Sequence, residues 1–227
     1  MFIGHFALGF GAKRAVPAVS LGTLLVACQF ADLLWPTLVI AGVERVELQP
    51  GATVVTPLNF VSYPYSHSLL TLCGWGLLFG CGYMIVRRSK IAAAVTIALL
   101  VVSHWILDFI SHRPDMPLTP MSDMKVGLEL WASRPATMVV EIIMFTIGVA
   151  LYLRTTTARD RIGSIGLWVL LIFLSVSYLG NMFGPVPPSA AAVVWSAQAM
   201  WVLMAWGYWL DAHRAGGAGG AGKWEAR

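Results

Sequence analysis

A chain of 227 residues is long enough for one water-soluble domain, but 58% hydrophobic residues, 11% charged residues and a mean hydropathy of +0.74 leave too few charges to cover such a surface. The formal net charge of +4 sits in short Lys and Arg clusters between apolar runs, where it sets orientation in a bilayer and argues against nucleic acid as a partner. Cys28, Cys73 and Cys81 all lie in apolar stretches without zinc-type spacing and read as buried small hydrophobes.

In chain order, apolar segments of spanning length fall near 17–42, 68–86, 91–110, 136–153, 163–183 and 189–210. The first of them has a lipoprotein-signal layout, with Lys13 and Arg14 ahead of Leu25-Val26-Ala27-Cys28, yet its apolar run continues to about residue 42 and so reads as a span. In hydrocarbon each segment must satisfy its backbone groups internally, which makes all six helical. The expected fold is therefore an all-α polytopic transmembrane bundle of about six spans, one domain over residues 1–210. Residues 211–227 are expected to form a disordered, Gly- and Ala-rich cytoplasmic tail.

Counting Lys and Arg on alternate sides gives eleven on one (Lys13, Arg14, Arg87, Arg88, Lys90, Arg154, Arg159, Arg161, Arg214, Lys223, Arg227) and four on the other (Arg45, Arg113, Lys125, Arg134). The richer side is expected in the cytoplasm, with both termini, as in a bacterial inner membrane; the longer connections near 43–67 and 111–135 then face outward. Trp35, Trp131, Trp195 and Trp209 fall near span ends, where interfacial anchoring accounts for them.

An ionisable side chain in a span costs roughly 2.5–3.5 kcal/mol at its centre and demands a partner or a function. Asp32, His104, Asp108 and Glu141 lie inside spans, His67 opens the second, and His5 sits in the apolar N-terminal segment. His67, His104, Asp108, His112 and Glu141 fall near the outer third, with Asp32 slightly deeper, so these side chains can meet at one depth. His104 and Asp108 are four residues apart and His112 follows by four more, which puts them on one helical face about 5–6 Å apart. An imidazole and a carboxylate so placed can share a divalent ion, and zinc, manganese or iron accept such ligands from several helices. A network of buried hydrogen bonds is the plain alternative. His5 can join only if residues 1–12 form a half-helix dipping into the bundle; His213, next to Arg214, is expected to be solvated.

The stretches Gly4-His5-Phe6, Phe30-Ala31-Asp32-Leu33, Ser66-His67-Ser68-Leu69-Leu70, His104-Trp105-Ile106-Leu107-Asp108 and Val140-Glu141-Ile142 resemble the pattern of the LexA-regulated inner-membrane metal-dependent hydrolases over about the first 145 residues. Two positions depart from that pattern. Its first acidic residue is replaced around Phe30, leaving Asp32 alone, and its His-Arg-Gly stands here as Val61-Ser62-Tyr63-Pro64-Tyr65. The order of His5, Asp32, His67, His104 and Asp108 is also similar, more distantly, to the ligand order of zinc-dependent phospholipase C and P1-type nucleases. Their further HxxxE pair is missing, since Thr137 precedes Glu141.

The resemblance implies a metal-dependent hydrolase of an ester or phosphoester. His5, Asp32, His67, His104 and Asp108 are the expected ligands of one or two zinc, manganese or iron ions, and Asp32 and Glu141 the candidate catalytic carboxylates. Such an ion lowers the pKa of a bound water and polarises an ester oxygen, and Glu141 is placed to take a proton or orient a ligand. Depth in the membrane points to lipid or a lipid-linked substrate as the partner. A proton or metal-ion transporter would line its path with the same groups. A haem protein with two axial histidines would leave the acids without a purpose, and a non-catalytic binding or structural protein is the remaining class.

Overall fold

The computed structural model describes residues 1–216; most of the expected C-terminal tail lies outside the described residues. The chain is mainly helical: α1 (Ile3–Ala12), α2 (Leu21–Cys28), α3 (Phe30–Ile40), α4 (Leu69–Arg87), α5 (Ile91–Ser111), α6 (Arg134–Thr155), α7 (Arg161–Phe183), α8 (Ala190–Gln198) and α9 (Met200–His213). Five segments are long and apolar enough to cross a membrane: α4, α5, α6, α7 and the α8–α9 run Ala190–His213. They expose large aliphatic side chains such as Leu77, Ile85, Leu99, Ile143, Ile172 and Val176, a surface that water would penalise and acyl chains would cover.

Helix starts follow local chemistry. Ser68, Ser133 and Asp160 each accept a backbone N–H from the first turn of α4, α6 and α7. Lys90 opens α5 without a side-chain cap.

The first expected span is not one helix. α2 and α3 meet at 59° across Gln29, whose backbone (φ −104°, ψ 8°) leaves the helical region, so this pair makes a sixth crossing only if both halves count as one broken span. The bend frees the Cys28 carbonyl from the helix ladder and opens α3 with Asp32 in its first turn. Pro36 then removes the donor that Asp32's own carbonyl would use inside α3.

α1 is the expected half-helix. It lies buried against α2, α5 and α6, with Phe6 and Phe10 fully enclosed among Leu24, Leu25, Val101 and Tyr152. Contact with α6 depends on Gly148, where a Cβ would sit 2.2 Å from the Ala7 carbonyl oxygen. Gly148→Leu is expected to push α1 off α6 and carry His5 away from its partners. A fall in thermal stability of the detergent-solubilised protein by several degrees, together with weaker metal retention, is the outcome to measure.

The described residues also form three short two-stranded antiparallel sheets. β1 (Arg45–Leu48) pairs with β2 (Leu58–Ser62) and packs on α3 and α8 through Val46, Trp35 and Val194. β3 (Met116–Pro117) pairs with β4 (Lys125–Val126) at the same end. At the opposite end β5 (Thr156–Ala158) pairs with β6 (Arg214–Gly216), so ordered chain runs past residue 211, where the tail was expected to begin. Arg214 is buried there, donating to the Gly163 carbonyl at 2.9 Å and to Thr156. Lys13, one of the eleven basic residues on the richer side, is buried as well and pairs with Asp211 at 3.2 Å. Among the three cysteines only Cys28 is buried; Cys81 lies on the outer apolar face.

Candidate metal centre

α5 provides the axis of the site. His104 and Asp108 are stacked one turn apart near its C-terminal end, both fully enclosed, with His104 Nε2 3.1 Å from Asp108 Oδ2. His67, in the turn before α4, brings Nε2 to 3.8 Å from the same Oδ2, and Asp32 Oδ1 lies 3.6 Å from His67 Nε2 and 3.7 Å from His104 Nε2. His5 reaches in from α1, its Nε2 3.1 Å from the other oxygen of Asp108 and its ring stacked 3.7 Å above that of His104. All five residues expected as ligands therefore converge.

These separations allow a direct test of fit. Two ligand atoms on one tetrahedral ion at roughly 2.1 Å stand about 3.4 Å apart. Four of the six distances among His67 Nε2, His104 Nε2, Asp32 Oδ1 and Asp108 Oδ2, from 3.1 to 3.8 Å, bracket that value. His104 Nε2 is buried without a hydrogen-bond partner, a cost that a cation at this point would remove. Buried His and Asp groups thus form a set able to hold a metal ion. On the other side of Asp108, Oδ1 faces His5 Nε2 and, at 4.0 Å, His112 Nε2. The Met1 nitrogen also contacts Oδ1, at 2.5 Å.

The imidazoles are aimed by acceptors behind them. His104 Nδ1 lies 2.8 Å from the Cys28 carbonyl freed by the α2–α3 bend, and a carbonyl can only accept, so Nδ1 carries a proton and Nε2 is the nitrogen that can offer a lone pair to an ion. His67 Nδ1 lies 2.7 Å from Ser66 Oγ, which itself donates to Glu44 Oε2 at 2.6 Å. With its own hydrogen committed to Glu44, Ser66 Oγ accepts from His67. His112 Nδ1 donates to Asp115 Oδ1 at 2.9 Å. A histidine whose outward N–H is fixed by a carboxylate, hydroxyl or carbonyl is typical of metal ligation.

Outside the spans, burial pushes the Asp115 carboxyl up, but hydrogen bonds from His112 and Tyr63 and the charge of Arg113 outweigh it and hold the group below its usual value. The Tyr63 hydroxyl is raised well above its ordinary range by burial and by Asp115.

Glu141 is enclosed on α6, and its Oε2 accepts the N–H groups of Phe2 and Gly4 at 2.9 and 3.1 Å, while Oε1 has no partner. It pins the start of α1. A cavity of about 400 Å³ is lined by Glu141, Asp32, His67, Asp108 and His112 and by apolar residues of the β1–β2 loop, α7 and α8. Trp35 and Trp131, expected as interfacial anchors, line this cavity instead, and Trp35 is only 6% exposed. His213 lies at the other end, 2.7 Å from Asp160.

The sequence reading missed Glu44, Ser66 and Asp115. A Glu beside Arg45 in a loop has the look of a solvated charge, and only Asp115's place three residues after His112 offered a signal. Compared with known proteins, the chain matches no family model, no curated protein and no solved structure.

Proposed function

We propose that this protein is a membrane-bound, metal-dependent hydrolase acting on an ester or phosphoester of a lipid or lipid-linked substrate, related to the LexA-regulated inner-membrane hydrolases that its motifs resemble. By the distribution of eleven basic residues against four, the Lys13–Arg14 end of α1 and the C-terminal end of α9 face the cytoplasm, while Met1 itself is buried at the centre, which faces the outer leaflet. The observation that carries this reading is the convergence of buried imidazole nitrogens on Asp32 and Asp108, which with His67 line a cavity that Glu141, with its unpartnered carboxylate oxygen, also lines.

Asp32, His67, His104 and Asp108 would hold the ion, zinc by the nitrogen and oxygen donor set, with manganese or iron also accommodated; His5 supports it from the far side of Asp108. When bound, such an ion supplies Lewis-acid polarisation of the ester and acidification of water. Glu141 Oε1 takes the proton of the attacking water. The water oxygen bonds to the carbonyl carbon or phosphorus, the bond from that atom to the alcohol oxygen breaks, and Glu141 returns its proton to the departing alcohol oxygen. Apolar walls keep other water out and receive the hydrocarbon part of the substrate.

The purified protein is expected to hydrolyse short-chain fluorogenic esters or phosphodiesters, to lose activity with chelator, and to regain it with zinc or manganese. Glu141→Gln keeps an acceptor oxygen for Phe2 and Gly4, so the fold and metal content should persist while turnover drops about 10²- to 10⁴-fold. Proton or metal-ion flux into reconstituted vesicles, with no hydrolysis by the metal-loaded protein, would replace this reading with a transporter.

A further inference from the structure

The same cavity carries a cation that the metal chemistry does not use. Arg134, the first residue of α6, lines it and is half-buried. Its guanidinium donates through Nη2 to the Val54 carbonyl at 2.6 Å and sits 5.5 Å from the Phe183 ring centre, while its buried Nε has no acceptor. Among the described residues no carboxylate pairs with it, in contrast to Arg113, which is held by Asp115 and Asn59. Trp131, on the same wall, has a buried Nε1–H that is also without an acceptor, and its ring packs 4.2 Å from His112.

Two unmet N–H donors, one of them cationic, beside apolar walls form an incomplete anion site. A guanidinium in such surroundings is costly until an anion joins it, and its fork matches phosphate or carboxylate oxygens. The other charges lining the cavity are the acidic set Asp32, Asp108 and Glu141, which an anionic ligand would avoid except through the ion those residues hold, and the Met1 ammonium, which is already paired with Asp108. Arg134 therefore offers a positive charge that, among the described residues, no carboxylate neutralises. Val54 and Val186, both exposed and apolar, line the cavity, and the exposed Phe183 ring packs on the Arg134 guanidinium.

We propose that Arg134 and Trp131 bind the anionic, phosphate-type group of an amphiphilic substrate, whose hydrocarbon part lies along the apolar rim. This rests on the hydrolase reading for the word substrate, but binding can be read without turnover.

The test measures binding of three probes to the full chain in detergent: dihexanoyl phosphatidic acid, neutral dihexanoylglycerol and inorganic phosphate. Phosphatidic acid is expected to bind tighter than either of the others, and about tenfold or more weaker to Arg134→Gln, with Arg134→Lys in between because charge is kept and the fork lost. Trp131→Phe keeps the ring against His112 and removes only the donor; about threefold weakening is expected. Metal content should not change in any of these variants, which separates this site from the centre. Equal affinity of wild type and Arg134→Gln for phosphatidic acid, with both folded, would overturn the proposal, and so would inorganic phosphate binding as tightly as the lipid. Absence of metal from wild type would instead strike at the hydrolase reading and leave the binding result standing.

Discussion

Protein purified in detergent is expected to carry about one or two equivalents of zinc, manganese or iron, and the His104→Ala, Asp108→Ala double variant to carry essentially none. Both residues sit where the two ligand groups meet. His104 belongs to both buried groups able to hold an ion, and Asp108 presents one oxygen to His67 and His104 and the other to His5 and His112. His104 can give only one lone pair, since its Nδ1 is committed to the Cys28 carbonyl. A second ion must therefore depend on the Oδ1 side of Asp108, and Asp108→Ala alone should empty both places. His213→Ala, at the opposite end beside Asp160, serves as the control and should retain full content. Elemental analysis of the three proteins decides between a metal centre and a buried hydrogen-bond network. A network would show no bound ion in wild type even after reconstitution.

How much of this site the sequence disclosed depends on how its residues are arranged along the chain. His104 and Asp108 were legible because four-residue spacing on a helix fixes their relation before any tertiary contact forms. His5, Asp32 and His67 come from three other segments, and depth in the bilayer alone argued that they could meet. Their convergence needed two features without a local signature. One is the burial of α1, which depends on the smallness of Gly148, a residue distant in sequence. The other is the break at Gln29, a position with neither Gly nor Pro, while the nearby Pro36 sits inside an intact α3. At the far end, Gly and Ala next to a basic residue read as a flexible tail, yet the Arg214 guanidinium finds the Gly163 carbonyl and Thr156 and ties β6 to β5. In each case a long-range backbone partner overrides what composition predicts.

The same lesson makes Glu44 the most informative residue that sequence reasoning passed over. Its carboxylate is 4% exposed and fully engaged: Oε1 accepts the N–H groups of Tyr65 and Ser66 at 2.9 and 2.8 Å, and Oε2 accepts the Ser66 hydroxyl. By taking the hydroxyl's only hydrogen it makes Ser66 Oγ an acceptor, which holds the proton on His67 Nδ1 and leaves Nε2 free to face Asp32 and Asp108. Glu44→Ala is expected to lower metal affinity about 10- to 100-fold, measured by competition with a chromophoric chelator. It should also lower thermal stability, because the buried Ser66 N–H loses its acceptor. Ser66→Ala separates the two effects: Glu44 keeps its bonds to the Tyr65 and Ser66 N–H groups, so the turn stays anchored while His67 loses its orienting acceptor. Weaker metal binding in Ser66→Ala with a nearly unchanged melting temperature would assign the relay to positioning His67. If Glu44→Ala alone were affected, and only in stability, Glu44 would be a loop anchor and His67 would be oriented by its packing against Tyr63, 5.1 Å away.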